Sequence, residues 1–262
     1  MGIEQKTEQQ TTPIYTRPDA MVDVPTHYCA GCGHGIMHRL LAEVLDELDI
    51  REKTIGVAPV GCAVLAYDYI DIDWSEAAHG RPPAVATGLK RMRPDRVVFT
   101  YQGDGDLASI GMAETIHTAN RGENITVIFI NNAVYGMTAG QMAPTTLVGQ
   151  KTATSPRGRD AATTGHPIRM CELLDRLASP ALLVRTTVTS PKRVRETKRY
   201  LRKAFRYQID EVGFSLLEVL SPCPTYWRMS PMESCRYVEE AIAKVFPLGV
   251  VRDLEAGEDG SG

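Results

Sequence analysis

The chain has no apolar run approaching the length that spans a bilayer, so no membrane-spanning helix is expected. Its opening stretch, MGIEQKTEQQTTPIYTRPDA, lacks the apolar centre of a signal peptide. Gly2 also lacks the Ser or Thr that completes a myristoylation site, because Lys6 stands there instead. Neither sign of charge dominates. A formal net charge of -3 gives no electrostatic basis for binding nucleic acid or an anionic membrane. No internal repeat or linker divides the chain. These absences predict a cytoplasmic protein with one large α/β domain over residues 21–250, a loose arm over 1–20 and a disordered tail over 251–262. In a reducing compartment the six cysteines are metal ligands or buried thiols rather than a disulfide framework.

What the sequence does contain is concentrated between residues 96 and 135. Val97, Val98, Phe99 and Tyr101 predict a buried strand that stops at Gly103-Asp104-Gly105-Asp106, where glycine permits a tight turn. Ile110, Ala113, Glu114 and His117 follow at helical spacing, and Arg121-Gly122 supplies a C-terminal stop. Ile125 to Ile130 is a second buried strand, closed by Asn131-Asn132. Strand, helix, strand is a βαβ unit with parallel strands, and ligands of such sheets bind beyond the carboxyl ends of the strands. Asp104 and Asn132 each lie just past such an end. A carboxylate and an amide oxygen suit Mg²⁺, and the amides of the following helix favour an anion. The segment therefore predicts a phosphate ester held through Mg²⁺, against the plain alternative of a βαβ unit with a polar turn.

Cysteines recur at strand ends. His27-Tyr28-Cys29-Ala30-Gly31-Cys32-Gly33-His34-Gly35 carries a C-x-x-C pair, which reads as half of a zinc site, half of an iron–sulfur site or a redox dithiol. On residues alone zinc ranks first. Ile36, Met37, Leu40, Leu41, Val44, Leu45 and Leu48 then form the core stripe of a helix. Thr54 to Val60 is a strand ending in Gly61-Cys62, and Phe214 to Leu220 a strand ending in Ser221-Pro222-Cys223-Pro224. Either cysteine, taken alone, reads as a small buried hydrophobe. His79-Gly80-Arg81 precedes Pro82-Pro83, a helix start where an anion would meet both amides and a cation; Arg81 could equally pair with an acid.

Residues 137 to 165 have little periodicity, which predicts a functional or mobile loop. Helices are expected over 168–178 and 191–209, and a strand over 181–188. The helix 191–209 carries Lys192, Arg193, Arg195, Lys198, Arg199, Arg202, Lys203 and Arg206, a solvated face or a docking patch for an acidic protein. Cys171 and Cys235 read as structural.

The run of GDGD and NN resembles the thiamine diphosphate motif. Asn132-Ala133-Val134-Tyr135-Gly136-Met137-Thr138-Ala139-Gly140-Gln141 resembles the β subunits of 2-oxoacid:ferredoxin oxidoreductases, which usually read MTGGQ where Ala139 stands here. The stretch at Cys29 to Gly33 resembles their CPGCG motif with Ala30 in place of proline, and GC at Cys62, HGR at His79 and PCPT at Cys223 follow in the same order. The resemblance covers residues 25 to 250. It is closest to subunits acting on 2-oxoglutarate or branched-chain 2-oxoacids.

That resemblance implies a thiamine diphosphate-binding α/β fold, a mostly parallel sheet with helices on both faces. It implies Mg²⁺ on Asp104, Asn132 and the main-chain oxygen of Val134. The diphosphate side of the cofactor would fall to His79, Arg81, Gly103, Gly105, Asp106, Gly136, Met137 and Thr138. A [4Fe–4S] cluster on Cys29, Cys32, Cys62 and Cys223 displaces zinc as the expected occupant. The implied reaction is coenzyme A-dependent oxidative decarboxylation of a 2-oxoacid, with electrons passed to ferredoxin. No catalytic side chain is expected here, because the activating glutamate belongs to an α subunit. The implied assembly is αβ or α2β2, with room for γ and ferredoxin-like δ subunits. Two other functions are compatible with the residues: a non-redox thiamine diphosphate decarboxylase or synthase, and a zinc-stabilised binding subunit without catalysis.

Overall fold

The computed structural model describes residues 15–255. Its centre is one seven-stranded sheet in the order β2-β1-β3-β4-β6-β5-β7. The strands are β1 (Thr54–Ala58), β2 (Asp73–Glu76), β3 (Val97–Gly103), β4 (Thr126–Asn131), β5 (Leu182–Thr187), β6 (Ser215–Leu220) and β7 (Gly249–Asp253). The first six run parallel, and β7 pairs antiparallel with β5. β3, β4, β5 and β6 are buried along almost their whole length, as continuous apolar runs between two helical layers must be.

Alternate strand residues face opposite layers. Phe99, Tyr101, Ile128, Ile130, Leu217 and Val219 pack with helices α1 (Gly33–Glu47) and α6 (Pro191–Ile209). Val98, Val127, Phe129 and Leu216 pack with α2 (Pro82–Met92), α3 (Met112–Asn120) and α5 (Met170–Leu174). The chain leaves β1 over the first layer, through Ala63, Tyr69 and Ile70, and leaves β3 over the second. Adjacent strands whose connections part to opposite faces open a crevice between them, and β1 and β3 do so here. At the other rim of the sheet the turns are short and solvated: Arg93, Pro94 and Asp95 are all exposed. Among the described residues no helix is long and apolar enough to cross a membrane.

Several expectations are corrected. The helix expected over 168–178 is only α5, because Arg252 of β7 donates to the Asp175 carboxylate (3.0 Å) and to the Leu177 carbonyl (2.6 Å), drawing the chain out of helical register. The turn after β3 enters a π-helical turn, Asp106–Ile110, before α3, so the Asp106 carbonyl accepts from Gly111 N–H at 2.9 Å. Residues 251–253, expected in the tail, belong to β7. The short polar strand β2 was not legible. The arm is anchored where it is described: Ala20 is buried, its N–H donates to Asp46 at 3.1 Å, and Met21 bridges to Ile70. Residues 1–14 and 256–262, which hold the rest of the predicted arm and tail, lie outside the described residues.

Candidate functional site

Two clefts open at the carboxyl rim. The first, of about 710 Å³, is lined from the ends of β1, β3 and β4 by Val60 to Ala63, Gly103 to Asp106 and Asn132 to Thr138, with His34 and His79. Asp104 lies buried in its floor. Its Oδ1 accepts from Gly105 N–H (2.8 Å), and its Oδ2 accepts from Val134 N–H (3.1 Å) and Thr145 Oγ1 (3.0 Å). Burial pushes the Asp104 carboxyl up to about 7, against the pull of those donors.

The Asn132 amide faces two acceptors, Asp104 Oδ2 at 3.1 Å and the Val134 carbonyl at 2.6 Å. Turned nitrogen-in, it donates to both. Turned oxygen-in, it completes three convergent oxygens of the kind Mg²⁺ takes. An octahedron with bonds near 2.1 Å has edges of about 3.0 Å, close to the spacings found. The donor set and its spacing fit Mg²⁺.

Asp106 is also fully buried, but its carboxylate serves the walls of the cleft. Oδ1 pairs with His79 Nδ1 (2.6 Å) and accepts from Gly80 N–H (2.9 Å) and Val60 N–H (3.3 Å), while Oδ2 accepts from Gln102 Nε2 (2.6 Å). This one side chain ties the loop after β1, the segment before α2 and the end of β3 together. With Nδ1 engaged, the rest of the His79 ring lines the cleft. Gly80, at φ 77, is indispensable to the tie, since a Cβ there would come within 2.6 Å of Gly111 N. Arg81 is not brought to the site. It pairs with Glu114 and donates to the Ile110 carbonyl at 3.3 Å, so its cation neutralises α3 instead of facing the cleft.

The second cleft, of about 560 Å³, is lined by Cys29, Cys32, Cys62 and Cys223, together with Tyr28 and Tyr226. Three remote segments converge here. The Cys29–Cys32 turn closes on itself (Cys32 N–H to Cys29 carbonyl, 3.0 Å), and Gly33 N–H reaches the Pro222 carbonyl at 3.4 Å. Gly31, at φ 80, lets that turn lie flat on the loop from β6: a Cβ would stand 2.6 Å from Pro231 Cβ.

Burial raises the Cys32 thiol, and burial together with the neighbouring thiols pushes Cys62 up to about 11 and Cys223 up to about 12. Each of the three sulfurs also receives one backbone N–H, from His34, Met137 and Tyr226 respectively. Thiols that hinder one another's ionisation, yet each face an amide donor, suit a cationic body bound among them. Four thiols lining one cleft are the donor set that an iron–sulfur cube takes. The four cysteines fit a cluster.

Sequence reasoning missed Thr145, Gln102 and Tyr226, whose roles arise only from tertiary contacts, and also His27. His27 Nε2 lies 3.0 Å from the Cys62 carbonyl and its Nδ1 2.7 Å from Tyr69 OH, which also accepts the His27 backbone N–H at 3.1 Å. Tyr69 therefore donates to Nδ1, which leaves Nε2–H to hold the Cys62 loop. Its place two residues before Cys29 was the available signal. Cys171 is buried with its thiol 3.2 Å from Glu218 Oε2, remote in role from both clefts.

A parallel sheet with an acid-and-amide oxygen site at its switch point defines the cofactor-binding domain of a thiamine enzyme. Residues 59–219 match the family described as thiamine pyrophosphate enzyme, C-terminal TPP binding domain. Subunit KorB of 2-oxoglutarate synthase from Methanocaldococcus jannaschii is 38% identical, over 81% of this chain and 74% of its own length. Subunit VorA of ketoisovalerate oxidoreductase from Methanothermobacter thermautotrophicus is 50% identical over 94% of this chain. The chain spans about half the length of that relative, 54%. A solved 2-oxoglutarate:ferredoxin oxidoreductase from Magnetococcus marinus, with 2-oxoglutarate, coenzyme A and succinyl-CoA bound, superposes with a TM-score of 0.73 at 28% identity, over 83% of this chain and 71% of that one. The chain belongs to the thiamine pyrophosphate enzymes and, among them, to the subunits of 2-oxoacid:ferredoxin oxidoreductases.

Proposed function

We propose that this chain is the subunit that holds the diphosphate end of thiamine diphosphate, its Mg²⁺ and one [4Fe–4S] cluster in a coenzyme A-dependent 2-oxoacid:ferredoxin oxidoreductase. The observation that carries the reading is the shared wall: Cys62, Asn132, Gly136 and Met137 line both clefts. A non-redox thiamine enzyme would have no use for four cysteines beside the cofactor cleft.

In this reading Asp104, Asn132 and the Val134 carbonyl hold Mg²⁺, which screens the diphosphate from the Asp104 carboxylate. Asp106 stays out of the diphosphate's reach and fixes the ring of His79, so that Nε2 serves the anion. The amides of the Gly103–Asp106 turn, and the backbone of Gly136 to Thr138, close over the same end. Thiamine diphosphate supplies the carbanion-stabilising chemistry by which a 2-oxoacid loses carbon dioxide. Cys29, Cys32, Cys62 and Cys223 hold the cluster that accepts electrons for ferredoxin. The activating glutamate comes from a partner α chain, since neither the first cleft's lining nor residues 137–165 contain a Glu.

We further propose a branched-chain 2-oxoacid such as ketoisovalerate as the substrate. The 50% identity to VorA supports it.

The test is a cysteine series in the anaerobically purified assembly. Cys29→Ser, Cys32→Ser, Cys62→Ser and Cys223→Ser each lose iron and the broad visible absorption of a cluster, because a hydroxyl is a poor iron ligand. Cys171→Ser and Cys235→Ser keep both. A protein that carries zinc and no iron, or one bleached by Cys171→Ser, would overturn the assignment.

A further inference from the structure

Four residues belong to both clefts, but only one of them is a cysteine. Cys62 alone among the proposed cluster ligands lines the cofactor cleft as well as its own. What separates the clefts there is a single thickness of backbone. Gly136 is buried, and a Cβ on it would stand 3.1 Å from Cys62 Sγ, 3.6 Å from Asn132 Nδ2 and 3.8 Å from Tyr226 Cδ2. Gly136 thus adds no side chain of its own between the proposed Mg²⁺ ligand and the sulfur.

The next residue faces both ways. The Met137 side chain is 49% exposed on the rim of the cofactor cleft, while its amide donates to the Cys62 sulfur. The segment is held at fixed points on either side. Val134 N–H is bonded to Asp104, and a tight reversal joins Tyr135 N–H to the Gln141 carbonyl (3.0 Å) and Gly140 N–H to the Tyr135 carbonyl (2.8 Å). Displacement of Gly136–Met137 lengthens or shortens one N–H···S contact, and such contacts set the potential of an iron–sulfur cluster.

We propose that Gly136–Met137 is a positioning element through which occupancy of the cofactor cleft is sensed by Cys62, so that the cluster's reduction potential depends on whether thiamine diphosphate is bound. The proposal rests on the cofactor and cluster assignment above. It singles out Cys62 from the other three ligands. Cys223 receives an equivalent amide, from Tyr226, but does not line the cofactor cleft.

The experiment uses the assembly stripped of cofactor, with its cluster intact, and the probe is thiamine diphosphate with Mg²⁺. Electron paramagnetic resonance spectra of the reduced cluster and a redox titration are recorded with and without the probe. The native protein should show a changed spectrum and a shifted midpoint on addition. Met137→Pro deletes the donor amide, so its midpoint should start more negative and no longer respond.

Gly136→Ala keeps every amide and crowds Cys62, and should alter the response without loss of the cluster; it carries the test should Met137→Pro not fold. A native cluster indifferent to the probe overturns the inference alone. So does a response that survives undiminished in both Met137→Pro and Gly136→Ala. Absence of any iron–sulfur signal overturns the cofactor reading, and the inference with it.

Discussion

Ala139 occupies a backbone conformation with φ 84, left-handed space that a Cβ disfavours, and Gly140 follows at φ 86. The family pattern places a glycine at the first of these positions. The turn has kept its geometry and the alanine bears the strain. Ala139→Gly should therefore raise the stability of the chain by about 1 kcal/mol, read as a higher denaturation midpoint at unchanged slope. A lower midpoint would mean that the alanine methyl makes a compensating contact. Asp104 poses the opposite case, a residue suited to its ligand more than to the fold. Asp104→Ala should weaken thiamine diphosphate binding by more than about 100-fold, since even outer-shell changes at metal sites cost 10–100-fold. Circular dichroism should stay native. Unchanged affinity by calorimetry would remove Asp104 from the site. Asp104 was legible from spacing, because it stops an apolar strand, and Ala139 from the resemblance to the MTGGQ pattern, in which a glycine stands there. Thr145 and Gln102 were not, because a hydrogen bond across 41 residues leaves no local trace.

Among the elements, α1 and α6 were readable from their apolar stripes, and β3, β4, β5 and β6 from their apolar runs. β2 and β7 were not, because edge strands bury one flank and keep polar residues. Half of the basic residues of α6 are spoken for: Lys198 pairs with Glu43 and Glu47 of α1, Arg202 with Glu47, Lys203 with Asp253, and Arg193 with Glu196. The aperiodic stretch 137–165 has an anchor no pattern announced. Arg159 is buried and donates to the carbonyls of Pro144 (2.9 Å), Thr146 (2.6 Å), Gly165 (2.9 Å), Thr164 (3.1 Å) and His166 (3.0 Å). Two remote pieces of chain are thereby joined, and one of them carries Thr145 to Asp104. Lysine cannot reproduce that fork. Arg159→Lys should cost about 2–4 kcal/mol, the scale of a few buried carbonyls left without donors. Hydrogen exchange should quicken over 143–166 and cofactor affinity should fall about tenfold, roughly the cost of one lost hydrogen bond. Protection confined to its native pattern would show that the loop is held by other means.

For the molecule as a whole, the clefts are open at their rims. Val60 and Met137, both cleft-lining, are 37% and 49% exposed, and no carboxylate faces the first cleft to activate a thiamine ring beyond those already engaged at Asp104 and Asp106. A second chain should cover them, in a symmetric assembly. The purified chain, reconstituted with iron, sulfide, Mg²⁺ and thiamine diphosphate, should show less than about 1% of the assembly's 2-oxoacid-dependent dye reduction with coenzyme A, a loss typical of removing a general acid–base group. The assembly should prefer ketoisovalerate to 2-oxoglutarate. Turnover by the lone chain at the rate of the assembly would sink the two-chain reading, and a preference for 2-oxoglutarate would sink the substrate assignment.

The same architecture leaves one end of the molecule unclaimed. Every residue nominated for chemistry sits beyond the carboxyl ends of the strands, while Arg93, Pro94 and Asp95 form an exposed turn at the amino end of β3. A seven-residue strand puts roughly 20 Å between the two rims. That turn is accordingly a natural handle. A tag, a fluorophore or a tether to an electrode grafted there would hold the chain by its back, clear of both clefts and of the surface that a second chain would cover.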